Sequence, residues 1–293
     1  MKIEQLIGNT PLVEIQKSNP NPKVIIYAKL EGHNPGGSVK DRAAYYMIKN
    51  ALKDGSLKKT DTIIEATSGN TGIALAMIAA AFDINIKLVM PENATVERIQ
   101  TMKAYGAEVI LTPAEKTIEY SRTFSLEQAN DKGYVLLDQF NNPNNKLAHF
   151  ETTGPEIWRD TKGAITHFVS SMGTTGTITG TSTFLKSQNS EIQIIGAQPE
   201  EGSRIPGIRK WSKEMMPGIF EADKVDQVIH VNRTNAVASA RELSAKEGIF
   251  VGISSGGAFH IAKQVASELS SGVIVFIACD RGDRYLSSDV YQL

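Results

Sequence analysis

Cysteine is almost absent: Cys279 is the only one in 293 residues, which excludes an internal disulfide and any zinc cluster built from several thiolates. In its Val/Ile/Phe-rich run it reads first as a small buried hydrophobe. Excess charge is absent too. With 31 basic and 32 acidic residues the net charge is −1, and no Lys/Arg-rich run occurs, so nothing electrostatic points to nucleic acid or to an anionic membrane. No apolar stretch approaches the ~18 residues of a membrane span. The opening Met1-Lys2-Ile3-Glu4-Gln5-Leu6-Ile7-Gly8 places an acid and an amide where a signal peptide needs an apolar core, so a cytoplasmic protein is the expectation. His33, His149, His167, His230 and His260 show no metal spacing, and with Trp158 and Trp211 they read as structural residues.

What is present is an ordinary globular composition, 41% hydrophobic and 22% charged. The length favours two lobes around a cleft over one large α/β domain. Short apolar runs suggest strands at 24–30, 62–66, 86–90, 108–111, 134–137, 167–170, 193–197 and 273–278. Helical patterns fall between them, at about 40–54, 71–82, 95–105, 115–131, 154–160, 177–187, 234–247 and 256–269. Strand then helix, repeated, predicts parallel sheets covered on both faces. The Asn/Pro cluster at 141–145 reads as the break between the lobes.

Three glycine-rich stretches follow strand candidates and open helices, the place where open α/β sheets bind ligands. Ser171-Met172-Gly173-Thr174-Thr175-Gly176-Thr177 offers free backbone N–H groups, hydroxyls and a helix N-terminus, which together suit a phosphate. The spacing matches neither a P-loop nor a dinucleotide fingerprint, so a lone monophosphate fits better. Glu65-Ala66-Thr67-Ser68-Gly69-Asn70-Thr71-Gly72 ends in donors suited to a carboxylate or a phenolic oxygen. In Asn34-Pro35-Gly36-Gly37-Ser38-Val39-Lys40-Asp41-Arg42 a lysine opens a helix, where the positive end of the dipole disfavours its charged form. Lowered basicity is what a Schiff-base lysine needs.

These segments, with Gly252-Ile253-Ser254-Ser255-Gly256-Gly257, resemble in order the signatures of fold-type II pyridoxal-phosphate enzymes. Ile7-Gly8-Asn9-Thr10-Pro11-Leu12 resembles the start of a cysteine synthase, so the likeness covers nearly the whole chain. It implies a tryptophan synthase β-like fold of two lobes, each a mostly parallel twisted sheet flanked by helices. A smaller, mobile lobe would comprise 1–11 and 35–141, and a larger one 12–34 and 142–293. By the same resemblance Lys40 holds the pyridoxal 5'-phosphate aldehyde, Asn70 meets its ring oxygen, Gly173, Thr174, Thr175, Gly176 and Thr177 grip its phosphate, and Ser254 faces its pyridine nitrogen. Thr67, Ser68, Asn70 and Thr71, with Gln139, would bind the amino-acid carboxylate. The implied reaction is ping-pong β-replacement: O-acetylserine loses acetate through an α-aminoacrylate, which sulfide then attacks.

The later segments Gln198-Pro199-Glu200-Glu201-Gly202, 205–211 and 279–287 resemble the type B cysteine synthases, which accept thiosulfate as well as sulfide. A dianion in a closed pocket needs positive charge, and an arginine fork supplies it with directional bonds. Arg209 is therefore expected to guide thiosulfate, with Cys279 lining the pocket. A serine/threonine dehydratase or a cystathionine β-synthase-like enzyme is the alternative within the same cofactor class. The family resemblance implies a homodimer acting on small molecules.

Overall fold

The computed structural model describes residues 1–67 and 69–292. It contains two sheets. Six strands, β1 (Leu12–Ile15), β2 (Val24–Leu30), β7 (His167–Ser171), β8 (Gln193–Pro199), β9 (Gln227–Val231) and β10 (Gly272–Ala278), lie in the order β1-β2-β10-β7-β8-β9. Four more, β3 (Thr62–Ala66), β4 (Asn85–Pro91), β5 (Glu108–Thr112) and β6 (Val135–Leu136), lie in the order β5-β4-β3-β6. Every pairing is parallel except β1 with β2.

Strand β10 runs Gly-Val-Ile-Val-Phe-Ile-Ala because it is central and covered on both faces, which leaves no position for a solvated side chain. On one face Ile274, Phe276 and Ala278 join Phe259 and Ile261 in a core shared with helices α8 (Arg233–Glu242) and α9 (Ile253–Glu268). On the other, Val275 and Ile277 meet Ile157 of α6 (Gly154–Asp160) and Ile178 and Leu185 of α7 (Gly176–Gln188). Complete burial of each phenylalanine contributes roughly 1.5–3 kcal/mol. The four-stranded sheet has its own core, in which Ile63 and Leu88 meet α1 (Lys40–Asp54) and α2 (Asn70–Phe82). Helices α3 (Val96–Ala104) and α4 (Thr117–Lys132) flank the same sheet.

Three local features depart from the sequence reading. Strands β1 and β9 are not among the strand candidates; both are edge strands whose residues are largely in contact with solvent. The Asn/Pro cluster at 141–145, read as the break between the lobes, opens a short helix that the sequence reading did not include, α5 (Pro143–Ala148), with Pro143 in its first turn and Asn142 Oδ1 accepting from Asn144 N at 3.0 Å. The helical patterns at 154 and 234 also join π turns, His149–Thr153 before the first and Leu243–Glu247 within the second. Among the described residues no helix is long and apolar enough to cross a membrane.

The start of α1 is tied to the large sheet by ions. Arg42, fully buried, donates from Nε and Nη2 to the two carboxylate oxygens of Glu31, both at 2.7 Å, and from Nη1 to Glu156 Oε1 at 2.6 Å. Lys29 Nζ lies 2.8 Å from Glu156 Oε2. Burial alone would raise the Glu31 pKa, but the Arg42 guanidinium, the Thr10 hydroxyl and the Lys29 charge together outweigh it and hold the carboxyl below its ordinary value. Taking away one partner of such a buried cluster costs about 3–5 kcal/mol, because a charge is stranded. The cluster thus fixes α1, and Lys40 at its first position, against β2 and α6.

Candidate active site

The carboxyl ends of β3, β7 and β10 converge on one cavity of about 290 Å³. Lys40, Thr67, Asn70, Thr71, Gln139, Gly173, Thr174, Thr175, Thr177, Ser254, Arg209 and Cys279 all line it. Ser68 lies outside the described residues. Gly176 does not line the cavity: it is the first residue of α7.

Lys40 stands where the chain enters α1 from the 34–39 loop. That entry is held by Val39 N donating to Cys279 O at 2.8 Å and Gly36 N donating to Asp41 Oδ2 at 2.6 Å. The amine pKa lies below its ordinary value, as expected for this lysine, and burial is the main cause. Cys279, Asp280 and Glu31 oppose the shift. The Cys279 thiol, itself pushed up to about 12 by burial, is neutral, so only the two carboxylates do so near neutral pH.

The turn after β7 is closely fitted. A Cβ on Gly173 would lie 2.7 Å from Gly207 O, and one on Gly176 2.1 Å from Asn145 Oδ1. Thr175 has a φ of 69°, a strained value for a β-branched residue, which turns the chain sharply into α7. The first N–H groups of that helix have no intrahelical acceptor. Thr174 Oγ1 accepts from Asn145 Nδ2 at 3.1 Å, and Thr177 Oγ1 shares a 3.2 Å hydrogen bond with His149 Nε2. Trp211 does more than pack: its Nε1 donates to Gly173 O at 2.8 Å.

The α9 start separates two adjacent serines. Ser255 Oγ accepts from Cys279 N at 2.8 Å and is fully buried, so it closes the end of β10, while Ser254 faces the cavity. Across the cleft, Thr71 Oγ1 donates to Gln139 Oε1 at 2.8 Å. The 138–139 turn is held by Glu65, whose carboxylate accepts from Asp138 N at 3.0 Å and Gln139 N at 3.4 Å. Burial raises the Glu65 pKa to about 7.

Arg209 N donates to Met172 O at 2.9 Å, and its guanidinium lies 5.4 Å from the Trp211 ring centroid and 5.9 Å from that of Phe140. Arg209 is partly buried, and this burial lowers its pKa. Sequence reasoning missed other cavity residues, among them Arg98, Arg122 and Tyr285. Arg98 lies 5.5 Å from the Tyr285 ring centroid and Arg122 4.7 Å from that of Phe140. The two arginines carry no local motif; Arg98 lies in α3 and Arg122 in α4.

Residues 3–280 match the family described as pyridoxal-phosphate dependent enzyme. The chain belongs to this family. Within it, the chain is 56% identical to cysteine synthase B of Escherichia coli strain K12 over 99% of its own length and 95% of that relative's. It is 51% identical to cysteine synthase B of Pseudomonas aeruginosa, covering 99% of this chain and 97% of the other. Among solved structures, cysteine synthase from Entamoeba histolytica superposes with a TM-score of 0.95 at 37% identity, covering 100% of this chain and 90% of that one. Membership makes this a pyridoxal-phosphate-dependent enzyme of fold type II, and the site fits the family's cofactor. The fitted turn before α7 has the free N–H groups and hydroxyls a phosphate ester needs, a lysine of lowered basicity lies in the same cavity, and Ser254 offers a neutral hydroxyl to a ring nitrogen.

Proposed function

We propose that this enzyme makes L-cysteine from O-acetyl-L-serine and sulfide, and that Lys40 is its catalytic residue. The observation that carries the reading is the convergence of Lys40, Asn70, the 173–177 turn and Ser254 on one cavity from four separate segments. The identity to two cysteine synthases B supports the same substrate class. Lys40 would hold the cofactor aldehyde, Asn70 its ring oxygen, Gly173, Thr174, Thr175, Gly176 and Thr177 its phosphate, and Ser254 its pyridine nitrogen. Thr67, Ser68, Asn70, Thr71 and Gln139 would bind the substrate carboxylate. When bound, pyridoxal phosphate withdraws electrons from the substrate α-carbon and so makes its proton acidic.

Lys40 first yields its place to the substrate amine. Its free Nζ, whose basicity burial lowers, then takes the α-proton, and acetate leaves from the β-carbon with the C–O bonding pair. Sulfide forms the new C–S bond, and Lys40 returns the proton to the α-carbon. Ser254 would offer the ring nitrogen a neutral hydroxyl rather than an acid, which would not force that nitrogen to stay protonated and would favour elimination over transamination. Clamping of the carboxylate by the turn at 67–71 and Gln139 would draw the lobe formed by residues 1–11 and 35–141 toward the lobe formed by 12–34 and 142–293, excluding water.

Arg209 would direct thiosulfate to the same carbon, giving S-sulfocysteine. Arg209 is partly buried, lines the cavity and lies beside two aromatic rings, where an oxyanion gains from a charged donor. Cys279 lines the same wall as a neutral thiol. A cytoplasmic homodimer is the assembly and location the family resemblance favours.

The test is to give purified enzyme O-acetylserine with sulfide, and in parallel serine alone, and to measure cysteine and pyruvate. Cysteine from the first mixture is the expected product. Pyruvate from serine, with little cysteine, would favour the dehydratase alternative and overturn the reading.

A further inference from the structure

The segment after β10 makes contacts the mechanism above leaves unused. Asp280, 1% exposed, accepts at Oδ2 from Asn70 Nδ2 at 2.7 Å and from Tyr285 OH at 2.8 Å. On the other side of the same amide, Arg284 Nη1 donates to Asn70 Oδ1, and Nη2 of that arginine donates to Gly36 O in the loop that leads to Lys40. Asn70 begins α2 beside the four-stranded sheet, whereas Asp280 and Arg284 follow the central strand of the six-stranded one.

A side-chain amide flanked in this way has one orientation. Turned over, its carbonyl would face the Asp280 carboxylate and its NH₂ the Arg284 guanidinium, replacing two charge-assisted bonds by two repulsions. Of the two hydrogens on Nδ2, Asp280 takes one. The other is left to serve the cavity that Asn70 lines.

We propose that Asp280 and Arg284 are positioning residues that fix the Asn70 amide, so that its second hydrogen is delivered to the cofactor's phenolic oxygen. This rests on the reading that Asn70 meets that oxygen. Tyr285 keeps its phenolic hydrogen, since burial and the nearby Asp280 charge hold its pKa well above the ordinary value, and it steadies the carboxylate from the far side. Because Arg284 also holds Gly36, one short segment of the large sheet sets both Asn70 and the approach to Lys40.

The experiment compares holoenzymes carrying Asp280→Ala, Arg284→Gln and Asn70→Ala, and the double variants that combine Asn70→Ala with each of the others. The cofactor dissociation constant is read by equilibrium dialysis and the position of the cofactor's visible band by absorbance, with thermal unfolding as the check on folding. Loss of one charge-assisted bond predicts cofactor binding about tenfold weaker in each single variant, with a displaced visible band. In the Asn70→Ala background neither Asp280→Ala nor Arg284→Gln should add more than about twofold, the mark of residues acting through a shared partner. Effects of equal size in both backgrounds would overturn the proposal while leaving the Asn70 reading intact. An Asn70→Ala enzyme with unchanged affinity and spectrum would overturn both. Should Asp280→Ala fail to fold, Arg284→Gln approaches the amide from the opposite side and decides the question alone.

Discussion

The turn after β7 and the turn after β3 occupy equivalent places, each following a central strand and opening a helix, yet they are packed differently. Around Gly173 and Gly176 there is no room for a methyl group: backbone or an anchored asparagine lies within 2.7 Å of the point a Cβ would occupy. Among the described residues a Cβ on Gly69 would meet no atom within 4 Å beyond its chain neighbours, and the nearest atom to a Cβ on Gly72 is the flexible end of Met102. The first turn is further tied by Trp211 and by His149. On the reading proposed above, the turn without room beside its glycines holds a resident phosphate, and the one that begins α2 meets a substrate that comes and goes. A site that must keep one ligand and exchange another can use this difference in packing.

Lys40 stands between the two turns, and removing it should have the largest effect. Lys40→Ala is expected to lower cysteine formation at least about a thousandfold with the fold intact, since one amine serves both as cofactor anchor and as base. Steady-state rates and circular dichroism check this together. The comparison itself is tested by a glycine pair. Gly176→Ala should destabilise the holoenzyme by roughly 1–3 kcal/mol through overpacking and weaken cofactor retention, whereas Gly69→Ala should stay within about 0.5 kcal/mol. Equal melting shifts for the two would break the contrast.

Arg209→Ala, just beyond the tight turn, is expected to reduce S-sulfocysteine formation from thiosulfate about tenfold while sparing sulfide, which lacks the oxyanions a guanidinium grips. Parallel rates with both donors measure the selectivity. The effect confined to low pH belongs to His149 behind the tight turn. Burial, then the charges of Arg42 and Lys40, lower its pKa from 6.5 to about 3. The unfolded chain therefore binds a proton that the native state refuses, so stability falls as pH drops below about 6.5, by up to ~1.4 kcal/mol per pH unit for this one site. His149→Gln should flatten that part of the melting-temperature profile between pH 7 and pH 5.

Much of this organisation is legible in the sequence because parallel βα units announce themselves: buried strands such as β10 are continuous apolar runs, and the glycine turns that follow them sit at fixed places. Strands β1 and β9 are not, because an edge strand half in solvent has neither a continuous run nor a long alternation. Helix α5 is hidden by its asparagines, although proline in its first turn and a capping Asn142 are start signals. The cavity residues that motifs carry come through, Ser254 among them, and its cavity-facing place beside Ser255 follows from the entry of α9. Asp280 and Arg284 lie in the 279–287 segment, but nothing local gives them a role, since only the meeting of two sheets brings them to Asn70. Arg98 and Arg122 have no local signal at all.

The most direct test of the central claim is to reduce the holoenzyme with borohydride, digest it and locate the cofactor by mass spectrometry. The account predicts a single pyridoxyl-phosphate adduct on the peptide containing Lys40. An adduct on another lysine, or no adduct on an enzyme that still makes cysteine, would contradict it.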